Sequence, residues 1–224
     1  MTKKCALLFS GGKDSTYAGF LAQKNGYKLE CLISLVSDNK ESFMFHTPSI
    51  SQVKKQAEVM SLPIIIKKSK GLQEEELNDL KSAISEAIKN YKVEAVISGA
   101  VESVYQASRI QKICDELGLE CYNPLWQKNQ IELLKEIIKK KFEVIIVSVA
   151  AYPLSKVWLG RKIDESFVED INKLSKKYEI NPAGEGGEFE SFVLDCPLFL
   201  RRLELKDKYI SGSDNSWTME ISVY

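Results

Sequence analysis

The first half of this sequence alternates short apolar runs with amphipathic stretches at helical spacing, and no other feature constrains its fold as strongly. Cys5–Phe9 reads as a strand, followed by a helix from about Ser15 to Lys24. Leu29–Ser37 is a second strand. Thr47-Pro48 pairs an N-capping threonine with proline at the first helical position, opening a helix that reaches about Met60. Ile64–Lys67 is a third strand. From about Gln73 to Tyr91 the apolar positions Leu77, Leu80, Ile84 and Ile88 recur with a helical period. Val93–Ile97 is a fourth strand, and a helix from about Ser103 to Leu117 is stopped by Gly118. Alternation of this kind means a parallel sheet with crossover helices. Ligands of such sheets sit beyond the carboxyl ends of the strands, which singles out the loops after Phe9, Ser37 and Ile97.

A second part begins near Pro124, and the expected division is 1–125 and 126–224. Gln130–Lys141 reads as a helix whose terminal Lys139-Lys-Lys141 complements the helix dipole. Phe142–Val149 is a strong strand, Asp164–Tyr178 a helix capped by Asp164, and the tail around Ser211-Gly-Ser-Asp-Asn215 a hairpin. Trp126 and Trp158 read as core or interface residues, and Arg161-Lys162 as a solvated pair.

Composition excludes several classes. Lys+Arg and Asp+Glu number 31 each, so the formal net charge is zero, without the electrostatic footprint of a non-specific nucleic-acid binder. No apolar run reaches the roughly 18 residues of a membrane helix. The first apolar stretch is shorter than a signal-peptide core and runs at once into charged Lys13 and Asp14. The 5 cysteines are widely spaced without a CxxC pair, so neither a zinc site nor a redox motif is indicated. A reduced, cytoplasmic protein with no membrane or nucleic-acid partner is expected. The sequence leaves its oligomeric state open, a homodimer included.

The most informative segment is Ser10-Gly-Gly-Lys-Asp-Ser15, between the first strand and the first helix. Gly11 and Gly12 let the backbone bend tightly and approach a ligand. The helix start beyond them offers unpaired N–H groups and partial positive charge, a cradle for phosphate. Lys13 adds a charge, and Ser10 and Ser15 add hydroxyls. The spacing is neither a Walker A motif nor GxGxxG. A second segment, Gly184-Glu-Gly-Gly-Glu-Phe-Glu-Ser191, crowds Glu185, Glu188 and Glu190 onto a glycine-rich stretch. Carboxylates that close repel, so a metal, an ammonium or a basic group should compensate them. Phe189, Phe192, Val193 and Leu194 anchor the segment on the core.

Ser-Gly-Gly-Lys-Asp-Ser resembles the pyrophosphate loop of the N-type ATP pyrophosphatases. The second glycine segment, continuing through Phe192-Val-Leu-Asp-Cys-Pro-Leu-Phe199, resembles the hallmark of the diphthine–ammonia ligases within that superfamily. Ser98-Gly-Ala-Val-Glu-Ser-Val-Tyr-Gln106 with Arg109, and Leu119 to the Pro-Leu-Trp at 124–126, resemble the same family more softly. The resemblance implies a doubly wound parallel α/β domain with a smaller C-terminal α+β domain. It implies splitting of ATP between the α and β phosphates, adenylation of the diphthine carboxylate on elongation factor 2, and displacement of AMP by ammonia. Residues 10–15 would hold the β and γ phosphates with bridging Mg²⁺, Lys13 would neutralise departing pyrophosphate, and Asp14 would position the metal or stabilise the helix start. Ser98 and Gly99 would face the α-phosphate and ribose, and Ile33 and Ser34 the adenine. Glu188 and Glu190 would grip ammonium or the substrate side chain. Glu185, Gly186, Gly187, Glu102, Tyr105, Gln106 and Arg109 would complete the substrate site.

The nitrogen source follows from the residues. Glutamine-hydrolysing domains typically use a Cys–His pair or an N-terminal Cys, whereas this chain has a single histidine, His46, and starts Met-Thr. Free ammonium is the simpler donor. His46 sits beside the expected nucleotide pocket, as a structural or a substrate-binding residue. Two rival functions stay open at this stage: an adenylating tRNA-modifying ligase, and a nucleotide-binding module without catalysis. The first is disfavoured by the absence of paired cysteines and of a basic surface. The second has no need of the carboxylate cluster.

Overall fold

The structure, a computed structural model, describes residues 2–37, 52–69 and 73–224. Five strands form the first sheet: β1 (Lys3–Leu8), β2 (Tyr27–Ser37), β3 (Ile64–Ser69), β4 (Ala95–Ile97) and β5 (Glu120–Tyr122). Their order is β3-β2-β1-β4-β5, and every pairing is parallel. Strand β5 is not anticipated by the apolar pattern. It is 3 residues long and only partly buried, too short to show a period.

Alternate residues of β1 serve two cores, because side chains along a strand alternate between faces. Cys5 and Leu7 pack with Tyr17 and Phe20 of α1 (Lys13–Lys24) and with Val53 and Ala57 of α2 (Val53–Met60). Ala6 and Leu8 pack with Leu80 and Ile84 of α3 (Gln73–Tyr91) and with Ile110 of α4 (Val104–Leu117). Helices therefore cover both faces of the sheet, the doubly wound arrangement. The expected start of the second helix at Thr47-Pro48 lies outside the described residues, as does His46. At the end of α4, Gly118 adopts φ +68 and closes the helix in the left-handed conformation.

The second half adds α5 (Gln130–Lys139), β6 (Glu143–Val149), α6 (Glu165–Tyr178), β7 (Phe189–Asp195), β8 (Leu205–Ser213) and β9 (Ser216–Val223). Its sheet has the order β7-β6-β9-β8, with antiparallel pairs throughout. Asp164 caps α6 as expected, its Oδ1 accepting the Phe167 N–H at 2.9 Å. The β8–β9 hairpin turns at Asp214-Asn215. Of the Arg161–Lys162 pair, Lys162 keeps a largely exposed side chain, whereas Arg161 is mostly covered. Arg161 stacks over the Trp158 ring, 4.6 Å from its centroid, and bonds Asp170 at 2.7 Å, while Lys162 meets Glu143 at 2.7 Å. Arg202 also grips Glu143 through two bonds of 2.7 and 2.8 Å, and these bonds hold the Glu143 carboxyl down at about 2.

One core runs through both halves. Tyr17 and Phe20 meet Phe142 edge-on at 5.5 and 5.8 Å, and Leu133, Leu134 and Ile137 of α5 belong to the same buried cluster as Leu7 and Ile97. This shared packing brings the second sheet against the carboxyl end of the first. Among the described residues, no helix is long and apolar enough to cross a membrane.

Truncating the ring at the junction tests this continuity. Phe142→Ala should cost roughly 3–5 kcal/mol in denaturant unfolding, as ring deletions in well-packed cores do. The unfolding should stay a single transition by both fluorescence and circular dichroism; a loss below about 1 kcal/mol, or a split into two transitions, would contradict a common core.

Candidate active site

The first sheet reverses direction at β1, whose neighbours are β2 on one side and β4 on the other. A crevice opens outside the carboxyl ends of strands at such a switch point. The two loops that flank it are residues 9–12 after β1 and 98–103 after β4.

The first loop is held by its own polar groups and by β7. Gly11 has φ +80, a conformation glycine takes without cost, and Gly12 is the N-cap of α1. Ser10 and Ser15 join hydroxyls at 3.1 Å, and the Ser10 N–H reaches Ser15 Oγ at 3.2 Å. The Thr16 hydroxyl donates to the Gly12 carbonyl at 2.8 Å. From β7, the Val193 N–H donates to the Gly11 carbonyl at 3.1 Å, and Ser191 Oγ accepts the Lys13 N–H at 3.1 Å. Gln56 of α2 donates its Nε2 to the carbonyls of both Gly11 and Val193, each at 2.9 Å. The loop after β4 closes on the same helix start. A Cβ on Gly99 would lie 2.8 Å from the Ser15 nitrogen, so only glycine fits there. Ser98 is buried, its Oγ accepting the Ala100 N–H at 3.2 Å.

Lys13 is the charged centre of the site. Its side chain is 4% exposed. Its ammonium bonds Asp14 Oδ2 at 2.8 Å and the Ala183 carbonyl, and lies 5.3 Å from the centre of the Phe189 ring. Asp14 Oδ1 is buried without a hydrogen-bond partner among the described residues. An unpaired carboxylate oxygen at a phosphate loop is a donor of the kind magnesium takes. Among the described residues, no group of three or more His, Cys, Asp or Glu side chains could hold a metal by itself. A metal here would thus share its shell with phosphate oxygens and water.

The three carboxylates of the glycine segment take different roles. Glu188 is buried and fully engaged: its Oε1 accepts the Asn181 N–H at 2.8 Å and Asn181 Nδ2 at 2.9 Å, and its Oε2 accepts the Gly186 N–H at 2.8 Å. Gln130 extends this network to Asn181 at 3.1 Å and to the Ala183 N–H at 2.8 Å. Glu188 therefore shapes the loop that carries Gly184 at φ +79 and Gly187 at φ +83. Glu185 faces the phosphate loop. Burial pushes its carboxyl up to about 7, with the Asp14 and Glu102 charges adding to this, while Lys13 and the Glu102 N–H oppose it. Glu190 pairs with Ser148 across the β6–β7 ladder, and burial pushes its carboxyl up to about 8. A carboxyl that titrates near neutrality can hold and release a proton at working pH.

The remaining expected residues divide into two groups. Glu102 is exposed at the mouth beside Glu185, and α4 begins there, with Ser103 Oγ capping the Gln106 N–H at 3.3 Å. The Arg109 guanidinium lies over the Tyr105 ring, 3.4 Å from its centroid, and the Tyr105 hydroxyl is buried without a partner among the described residues. Ile33 and Ser34, expected to line an adenine, lie inside the sheet. The Ile33 carbonyl accepts the Phe9 N–H at 2.8 Å, and the Ser34 hydroxyl donates to the Phe9 carbonyl. Gln56, Ser191, Gln130 and Asn181 were not singled out from the sequence. None of them belongs to a residue pattern that names its partner, and three of the four bond main-chain atoms far away in the chain.

The family profile described as diphthamide synthase N-terminal domain matches residues 3–121, and that of the diphthamide synthase C-terminal domain matches 129–223. A diphthine–ammonia ligase of Rattus norvegicus is 34% identical over 219 residues, spanning 89% of this chain and 82% of that protein. One of Schizosaccharomyces pombe is also 34% identical over 219 residues, spanning 91% of this chain and 36% of that protein. The chain thus covers about a third of the length of the fission yeast relative. Among solved structures, a predicted subunit of tRNA methyltransferase from Methanocaldococcus jannaschii aligns over 87% of this chain and 98% of that one, at 16% identity and a TM-score of 0.45.

The raised Glu190 carboxyl has a consequence for stability. An unfolded glutamate loses its proton near 4.5, whereas the folded chain keeps it until about 8. Between those values the folded state binds more protons, so this group makes stability fall as pH rises. Glu190→Gln, which cannot ionise, should match the parent near pH 4 and exceed its stability at pH 9. An equal difference at both pH values would contradict the assignment. Glu188→Gln replaces an acceptor with a donor opposite the Gly186 N–H. It should lower stability by about 1–3 kcal/mol in urea unfolding; an unchanged midpoint would mean that the carboxylate does not hold the loop.

Proposed function

Given that this chain belongs to the diphthamide synthase family, whose curated relatives are diphthine–ammonia ligases, we propose that it amidates the diphthine carboxylate of elongation factor 2 with ammonium at the expense of ATP. The observation that carries this reading is the meeting of the phosphate loop with the acidic glycine segment. Lys13 bonds the Ala183 carbonyl, and Glu185 lies within electrostatic reach of Asp14 and Lys13. One crevice thus offers both an anion cradle and carboxyls poised to carry protons.

Each residue has a role in this scheme. The amides at the start of α1, the hydroxyls of Ser10 and Ser15, and Lys13 hold the β and γ phosphates. Asp14 Oδ1 would give Mg²⁺ a ligand, and the ion would neutralise charge on the phosphates. Ser98 and Gly99 line the approach of the α-phosphate, because Gly99 presses on the Asp14–Ser15 backbone. A carboxylate oxygen of diphthine attacks the α-phosphorus, the bond to the β-phosphate oxygen breaks, and pyrophosphate leaves. The carboxyl carbon now carries AMP as leaving group, which offsets the poor electrophilicity of a carboxylate. Ammonium gives up one proton to the ionised form of Glu190 or Glu185, its nitrogen attacks that carbon, and as AMP departs the nitrogen sheds a second proton to the other carboxylate or to the leaving phosphate, which completes the amide. Glu188 fixes the loop on which Glu185 stands, just before the strand that bears Glu190. Glu102, Tyr105, Gln106 and Arg109 border the entrance for the modified histidine side chain.

Lys13→Met keeps an unbranched chain against the Phe189 ring and deletes the charge. It should reduce AMP formation by at least about a hundredfold, the usual scale for losing one electrostatic stabiliser of a transition state. The assay follows AMP and pyrophosphate with diphthine-bearing elongation factor 2 and ammonium present. Undiminished turnover in a folded variant would contradict the role of Lys13. In the native protein, AMP release that ignores ammonium and the acceptor would contradict the reading as a whole.

A further inference from the structure

Gln56, like Thr16, borders the phosphate loop with no exposure at all. It reaches the loop from α2, 45 residues away in sequence. Both atoms facing its carboxamide nitrogen are main-chain carbonyl oxygens, those of Gly11 and Val193, at 2.9 Å each. An acceptor cannot sit there, so the amide must present its two N–H donors to them. The Oε1 atom is left against Gly11, with no partner among the described residues, in the space a Cβ at Gly11 would take.

This arrangement fixes one peptide plane. The Gly11 carbonyl accepts from Gln56 Nε2 and from the Val193 N–H at 3.1 Å. In a trans peptide the C=O and the following N–H point in opposite directions. With its carbonyl held by two donors, the Gly11–Gly12 peptide must therefore turn the Gly12 N–H away from Gln56, to the side of the Ser10 hydroxyl. There the Gly12 N–H meets Ser10 Oγ at 3.4 Å, a long bond that an anionic oxygen would readily replace.

We infer that Gln56 is a positioning residue for the triphosphate: its carboxamide locks the Gly11–Gly12 peptide so that the Gly12 N–H is presented to a phosphate oxygen before nucleotide binds. The same two bonds tie the loop to β7, so the cradle and the segment bearing Glu190 are set in one register. The inference rests on the proposed nucleotide site and adds to it a residue outside both glycine motifs. Leucine at this position fills the space without donors. Glutamate would oppose two carbonyls with negative charge, except where protonation gives it one O–H donor.

The test is equilibrium binding of ATP to the native chain, to Gln56→Leu and to Gln56→Glu at pH 5.5 and pH 8.5, with melting curves recorded alongside. Gln56→Leu should bind ATP at least tenfold more weakly than the native chain while keeping its circular dichroism spectrum. Gln56→Glu should be as weak as Gln56→Leu at pH 8.5 and recover most of the deficit, relative to native protein at the same pH, at pH 5.5. Native affinity in folded Gln56→Leu would overturn the inference, and so would a Gln56→Glu deficit that is the same at both pH values. Should Gln56→Leu fail to fold, the pH ratio for Gln56→Glu decides alone. Failure of the native chain to bind ATP would overturn the nucleotide reading and this inference together, whereas native binding with unaffected variants overturns this inference only.

Discussion

The carbonyl of Gly11 accepts two hydrogen bonds, one from the Val193 N–H and one from Gln56, and the geometry of the site depends on that junction. It fastens the loop after the first strand to a strand nearly the whole chain length away. The Lys13 N–H bonded to Ser191 Oγ makes a second stitch two residues further on. Without these bonds, a glycine pair offers conformational freedom rather than a cradle. With them, the amides at the start of α1 point in directions set by the second sheet, and preorganised donors of this kind are what phosphate chemistry uses.

Three neighbouring carboxylates show how position on a folded loop decides chemistry. Glu188 lies among backbone and side-chain N–H groups and stays engaged with them. Glu185 turns toward Asp14 and Lys13, and its carboxyl is raised by burial and by like charge. Glu190 is raised by burial alone. Of the two residues expected to grip a ligand, Glu188 and Glu190, the first has its oxygens already taken. Glu185 and Glu190, one on either side of it, carry the raised carboxyls.

The sheet was legible because its signal is periodic. Leu77, Leu80, Ile84 and Ile88 announced α3 to the residue, and Gly118 marked the end of α4. The tight turn after β1 was legible for another reason: the whole hexapeptide Ser10-Gly-Gly-Lys-Asp-Ser15, not the glycine pair alone, stands between an apolar run and a helical one. Strand β5 escaped because 3 residues cannot display alternation. Arg161 and Lys162 looked solvated because their partners, Trp158, Asp170 and Glu143, are set by tertiary packing. Gln56 and Asn181 were invisible for the same reason, as their bonds go to groups that no local spacing identifies. The different surroundings of the three glutamates were hidden because they depend on distant partners: Asn181 for Glu188, Asp14 and Lys13 for Glu185, and the β6–β7 ladder for Glu190.

A crystal structure with a slowly hydrolysed ATP analogue and Mg²⁺ tests the central claim most directly. The account predicts the β and γ phosphates on the N–H groups of residues 11–15, with Lys13 Nζ turned from Asp14 to the phosphates and Asp14 Oδ1 on the metal. A nucleotide bound elsewhere, with the Gly11–Gly12 turn bearing no phosphate, would contradict it.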